Sequence, residues 1–164
     1  MSDQREPSAK LVVERSYRAR VEELWALWTT REGFESWWGP EGFRAAVHVL
    51  EARVGGRLHY EMIASAPEQI AALQQLGRTP SHAARARYTE FKPGASLAIT
   101  TVVDFVPGVP PYETTMRVEF FAAGERVRMV VTLDPMHDDE MTRMSKMGLT
   151  SQLTKLDRRY AERP

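Results

Sequence analysis

The chain has 164 residues, the length of one domain, and a domain of that size buries roughly 70% of its unfolded surface, enough for a substantial core. Lys plus Arg and Asp plus Glu both number 22, so the formal net charge is zero and the basic footprint that nucleic acid requires is missing. There is no cysteine, which excludes disulfide scaffolds, thiolate metal sites and cysteine nucleophiles.

Residues 1–10 are polar and read as a flexible tail before a single domain over 11–164. They hold no apolar core of signal-peptide length, and no apolar run approaches membrane-spanning length. A cytoplasmic protein with no membrane contact is the expectation. Leu11 to Tyr17 is β-rich and reads as a strand. Val21, Leu24, Trp25 and Trp28 follow at i, i+3, i+4, i+7, the stripe of an amphipathic helix. Thr29-Thr30-Arg31-Glu32 fits a capping box opening a second short helix, and Gly39-Pro40 fits its stop. Just before that stop stand Trp37 and Trp38. Adjacent helical residues point about 100° apart, so one is expected in the core and the other at a groove, a cavity mouth or a partner.

Strand signals then dominate: Phe43 to Glu51, a segment in which Leu58, Tyr60 and Met62 share one face, Ala83 to Phe91, Leu97 to Val106, Thr114 to Phe121 and Val127 to Leu133. Gly55-Gly56, Lys92-Pro93-Gly94 and Ala123-Gly124 punctuate them, as does the stretch from Pro107 to Pro111, which implies an antiparallel meander. Between Met62 and Ala83, the segment Pro67 to Leu76 reads as a short helix with Pro near its start and Gly77 as its cap. It is either a surface excursion or a lid. The last element runs from about Asp138 to about Arg163, acidic at its start and basic at its end, as the helix dipole favours. At about 1.5 Å per residue it spans roughly 35–40 Å. Its inward stripe takes in Met141, Ser145, Gly148, Leu149, Gln152, Leu156 and Tyr160, flanked by Met144 and Leu153. Ser145, Gly148 and Gln152 are small or polar where dense packing favours bulky apolar groups, so a pocket beneath the helix is expected. The sheet's apolar face needs cover and the long helix supplies it.

Several stretches together carry a family resemblance. They are Arg15 to Arg20, Val21-Glu22-Glu23-Leu24-Trp25, Trp37-Trp38-Gly39-Pro40-Glu41-Gly42-Phe43, Gly55-Gly56-Arg57, and the final helix with Gly148 and Leu156-Asp157. The chain resembles the bacterial proteins similar to the C-terminal domain of the activator of heat-shock protein 90 ATPase, in the START-like (SRPBCC) superfamily. The resemblance covers about Leu11 to about Tyr160. It implies an α+β helix-grip fold: a curved antiparallel sheet wrapped around a long C-terminal helix, with two short helices after the first strand. It also implies a cavity between sheet and helix, often used for hydrophobic ligands, in a superfamily that includes cyclases, aromatases and hydrolases. Two features depart from the family pattern: Gly148-Leu149 stands where members usually show Gly-Trp, and Pro67 to Leu76 is longer than the usual turn.

Catalytic signals are sparse. By strand alternation His59 and His48 point away from the helix, His82 falls in a loop, and His137 precedes the acids that open the last helix. No metal-ligand spacing, nucleophile elbow or phosphate-cradling loop is present, so neither metal nor cofactor is expected. Glu90 shares parity with Ala86 and Tyr88, and is the one carboxylate placed to enter the cavity with a raised pKa. The expected function is binding of a small apolar or amphipathic molecule. The expected wall is Tyr60, Met62, Tyr88, Thr101, Met116, Met144, Ser145, Gly148 and Gln152, joined by Glu90, with Trp37 or Trp38 at the mouth. An enzyme of the polyketide cyclase or hydrolase type using the same cavity is one alternative. A protein-interaction module of cochaperone type is the other. Zero net charge and a spare tryptophan favour a homodimer.

Overall fold

A computed structural model describes residues 10–161. The tail expected over residues 1–10 therefore lies outside the described residues, except for Lys10, which pairs with Asp134 at 3.5 Å. In chain order the elements are β1 (Leu11–Tyr17), α1 (Val21–Thr29), α2 (Arg31–Glu35), β2 (Phe43–Leu50), β3 (Arg57–Ala64), α3 (Pro67–Gln75), β4 (Ser81–Lys92), β5 (Ser96–Val103), β6 (Tyr112–Ala123), β7 (Arg126–Leu133) and α4 (Asp139–Ala161). The strands form one antiparallel sheet in the order β1-β7-β6-β5-β4-β3-β2. β1 and β2 are its two edges, so α1 and α2 must carry the chain across the sheet from one edge to the other.

Strand alternation builds the two faces. Val127, Met129, Val131 and Leu133 point inward from β7, and Val118 and Phe120 join them from the paired β6; all six are buried. The outward face carries cross-strand ion pairs, among them Arg87 with Glu113 and Arg128 with Glu14. Beneath these long side chains Thr100 is buried, and its hydroxyl lies 2.9 Å from the hydroxyls of both Thr89 and Thr115.

α1 and α2 close one end of the inner face with an aromatic cluster. The Trp28 ring meets Trp37 edge-on at 4.9 Å, and Phe34 stacks on Trp38 at 4.7 Å. Both adjacent tryptophans are buried, Trp37 at 1% and Trp38 at 8% exposure, which corrects the expectation that one would sit at a mouth or meet a neighbour. The physical reason is that α2 ends at Glu35, so the two side chains diverge from a turn rather than a helix. Each then finds its own side of the cluster. Trp37 Nε1 donates to the Leu27 carbonyl at 2.9 Å, whereas the indole N–H groups of Trp28 and Trp38 are buried without an acceptor. The cap of α2 is also shifted by one residue. Thr30, not Thr29, accepts from the Gly33 N–H at 3.0 Å, because α1 runs on through Thr29, whose hydroxyl donates to the Trp25 carbonyl.

The grip on α4 is uneven. Leu149, Leu153, Leu156 and Tyr160 are buried, with Leu153 fully covered rather than flanking. Tyr17 of β1 donates to Asp157 Oδ1 at 2.6 Å, and its ring lies 5.1 Å from that of Tyr160. Toward the start of the helix Met144 and Met147 are exposed, Ser145 and Gly148 are half-buried, and Thr142 is buried as a local tie. The Thr142 hydroxyl accepts from Met136 N–H and donates to the Asp138 carbonyl. The opening turn is further held by Tyr112 of β6, whose hydroxyl lies 2.7 Å from His137 Nδ1.

Candidate functional site

The half of α4 that the sheet does not grip stands over a cavity of about 740 Å³. β2 and β3 contribute Phe43 and Met62, and α4 contributes Met141 and Met144. Leu73 closes it from α3, and Phe105, Val106 and Pro107 from the β5–β6 loop. The remaining wall is the chain leaving α3 and entering β4, from Arg78 to His82. Why the chain takes that course is local. α3 starts with Pro67 at its first position and ends in a Schellman turn, in which Gly77 N–H donates to Gln74 and Arg78 N–H to Leu73. Gly77 has φ +69°, a conformation that glycine adopts without steric cost. The turn delivers Arg78 to the rim.

No residue of α3 is buried, so the helix lies on the surface rather than in the core, and Leu73 is its residue in the cavity wall. Phe105 packs edge-on against His82 at 4.6 Å, bringing the β5–β6 loop against the start of β4. The loop and helices leave Leu76, Phe105, Met144 and Met147 as exposed large apolar side chains. A second hollow of about 800 Å³ lies near Arg18, Val21 and Gly124. It is shallow and edged by charges that already have partners, Arg18 with Glu125 and Arg20 with Glu23, so the mixed apolar and polar wall beneath α4 makes the better site.

The expected wall residues divide. Met62 and Met144 line the cavity. Thr101 and Met116 lie half-buried on the inner face, Met116 paired with Ile99 and Thr101 the next inward residue of β5 after Ile99, with Tyr60 buried on the same face of β3. Burial raises the pKa of the Tyr60 phenol. Ser145 and Gly148 stand on the half-buried side of α4, and a Cβ built on Gly148 meets nothing within 4 Å.

Four expected wall residues are used elsewhere, together with Glu90. Trp37 and Trp38 belong to the core. Tyr88 is fully buried under α1 and its hydroxyl donates to the Trp28 carbonyl at 2.6 Å, with burial pushing its pKa up. Gln152 is buried and its Oε1 accepts from Gly39 N–H at 3.0 Å, tying α4 to the turn after the tryptophans. Glu90 is on the outer face. A bulge between Tyr88 and Glu90 inserts one residue, so Tyr88 pairs with Ile99 but Glu90 pairs with Ala98, and the alternation reverses. There the Ser96 hydroxyl and then the Arg117 guanidinium hold its carboxyl below the ordinary value, the opposite of the expected rise. Arg117 Nε lies 3.2 Å from Glu90 Oε2.

Of the cavity wall, sequence reasoning named only Met62 and Met144 and missed the rest, among it Arg78, Phe105 and Met141. Met141 fell on the calculated helical stripe and was legible. Arg78 and Phe105 sit in connections, Phe105 because β5 ends at Val103 and not at Val106 as expected, and connections carry no periodicity. His82 is the second residue of β4 rather than part of a loop. Among the described residues no group of three or more His, Cys, Asp or Glu side chains is placed to hold a metal ion. No helix among them is long and apolar enough to cross a membrane.

A seven-stranded antiparallel sheet, two short helices after its first strand and a long C-terminal helix laid on its inner face define a protein of helix-grip, START-like architecture. The chain belongs to the family described as Activator of Hsp90 ATPase homolog 1-like protein, which matches residues 18–161. Solved structures agree on the fold. The AHSA1 protein from Silicibacter pomeroyi is similar with a TM-score of 0.72 at 23% identity, covering 93% of this chain and 98% of that one. A protein from Chromobacterium violaceum is similar with a TM-score of 0.70 at 21% identity, covering 92% and 96%. A protein from Arthrobacter aurescens has a TM-score of 0.72 at 20% identity, covering 94% and 87%. At these identities the likeness is one of fold. Among curated proteins no sequence match is found.

Proposed function

We propose that this protein binds a small apolar or amphipathic molecule in the cavity beneath the N-terminal half of α4. The observation that carries the reading is the cavity itself. About 740 Å³ falls within the range of roughly 300–1,000 Å³ over which small-molecule sites occur, and the wall is mainly Phe, Leu, Val and Met with a few polar groups at one side. Met62, Met141 and Met144 give that wall adaptable shape, since an unbranched thioether fits irregular partners. The alternative of catalysis in the same cavity loses its one carboxylate candidate, because Glu90 lies on the other face of the sheet, paired with Arg117.

Gly148→Phe tests the proposal. Helical side chains lean toward the helix N-terminus, so the new ring leans toward Met144 and the cavity. Open space at the Gly148 Cβ position means that the fold survives while ligand binding falls. Thermal shift of the wild type and the variant against a panel of hydrophobic ligands, with native mass spectrometry of freshly purified protein, reads both effects. A badly destabilised variant, together with a wild type that answers to no ligand, makes the region ordinary core and defeats the proposal. A protein-interaction surface is the second reading, favoured by the exposed side chains of Leu76, Phe105, Met144 and Met147. It is distinguished by a wild type that binds no small molecule but loses a protein partner when Phe105 and Met144 are replaced by Ser.

A further inference from the structure

We infer that the ligand of this cavity is an amphiphile with one carboxylate end, and that Arg78 is the residue that holds that end. The inference rests on the binding reading above and gives it a charge. The cavity wall is asymmetric. Its inner side is apolar, from Met62, Leu73, Met141 and Met144, while Arg78, Thr79, Ser81 and His82 gather at one edge. No Asp or Glu is among the residues that line it, so the one guanidinium of the wall has no carboxylate beside it there.

Many arginines elsewhere in this protein are matched, although Arg31, Arg126 and Arg159 bond only to backbone carbonyls and Arg44 and Arg143 have no ion pair among the described residues. Arg53 and Arg57 share Glu51, Arg85 faces Asp104, Arg87 faces Glu113, Arg117 faces Glu90 and Glu119, and Arg158 faces Glu41. Arg78 has no ion pair among the described residues, and it stands where the chain leaves the Schellman turn of α3 at the cavity rim. The backbone there is fixed by two hydrogen bonds, Gly77 N–H to Gln74 and Arg78 N–H to Leu73, so the guanidinium is presented from an ordered position. A guanidinium offers a planar fork of N–H donors that matches a carboxylate with two parallel hydrogen bonds. A single cation suits a single negative charge. The apolar body of the ligand then lies against Met62, Met141 and Met144, with Phe105 at the opening.

Laurate, 1-dodecanol and dodecyltrimethylammonium share one tail and differ in charge, which makes them the probes. Their binding to the full chain is measured by isothermal titration calorimetry below the critical micelle concentrations of the two ionic probes and the solubility limit of dodecanol, at low ionic strength because rim charges are screened by salt. Laurate is expected to bind about tenfold or more tightly than dodecanol, the ratio that a single charge-assisted pair supports, with the ammonium weakest. Arg78→Gln, an exposed surface change, is expected to bring laurate down to the level of dodecanol and leave dodecanol unchanged. Arg78→Lys is expected to keep part of the preference. Equal binding of laurate and dodecanol by the wild type, both abolished by Gly148→Phe, overturns the charge inference and leaves the cavity-binding reading standing. A laurate preference that survives in Arg78→Gln overturns the assignment of Arg78. No binding of any probe to the wild type defeats the binding reading and this inference with it.

Discussion

The two halves of α4 are one continuous helix with one register, yet the sheet treats them differently. From Leu149 onward the inward positions carry Leu149, Leu153, Leu156 and Tyr160, all buried, and Gln152 is spent on the backbone of Gly39. Before Leu149 the corresponding positions carry Met141, Ser145 and Gly148, all half-buried, while Met147 is 63% exposed. Two hydrogen-bonded ties, Tyr112 to His137 and Met136 to Thr142, hold the start of the helix in place without filling the space beneath it. A helix held at both ends but filled beneath only one can keep a cavity open without losing its position. A single element can in this way supply stability at one end and leave space beneath the other.

Mutations graded along α4 test this division. The largest effect is expected from Leu156→Ala in the gripped half, a loss of about 2–5 kcal/mol as for other buried Leu truncations. A loss under about 0.5 kcal/mol in denaturant unfolding breaks the comparison at once. Gln152→Ala is expected to cost about 1–3 kcal/mol, because the buried Gly39 N–H is left without its acceptor. An unchanged unfolding midpoint there means that the tie between α4 and the tryptophan turn is not needed.

Gly148→Ala, at the boundary between the halves, is expected to change sign. The added methyl meets no atom within 4 Å beyond its neighbours and the backbone of its own helix, so the gain in helix propensity of roughly 0.8–1.0 kcal/mol is the main effect and the protein becomes more stable. Destabilisation by that variant places packed atoms where the comparison needs space. Met147→Ala in the exposed half is expected to stay within about ±0.5 kcal/mol, since a surface side chain away from caps and networks contributes little. A loss as large as that of Leu156→Ala erases the difference between the halves.

Much of this was written in local sequence. Strand periodicity, the Gly and Pro punctuation and the long stripe ending in Leu156 and Tyr160 specify a meander and a gripping helix, because a half-buried strand or helix must repeat its apolar residues at the period of its own geometry. The resemblance of the Trp37-Trp38-Gly39-Pro40 and Gly55-Gly56 segments supplied the family. The small residues Ser145 and Gly148 marked the weakly filled stretch of the stripe. Other features were settled only in three dimensions. One inserted residue before Glu90 reverses the facing of everything after it, and a bulge leaves no mark on a simple alternating pattern. Whether Trp38 meets solvent depends on Phe34 and Tyr60 arriving from other elements, at 4.7 and 6.3 Å. Gln152 looked like a polar group aimed into a pocket until the turn at Gly39, 113 residues away in sequence, claimed it. The rim itself, Arg78 on one connection and Phe105 on another, exists only because the fold brings two irregular segments together over α4, and irregular segments carry no periodicity from which to foresee their meeting.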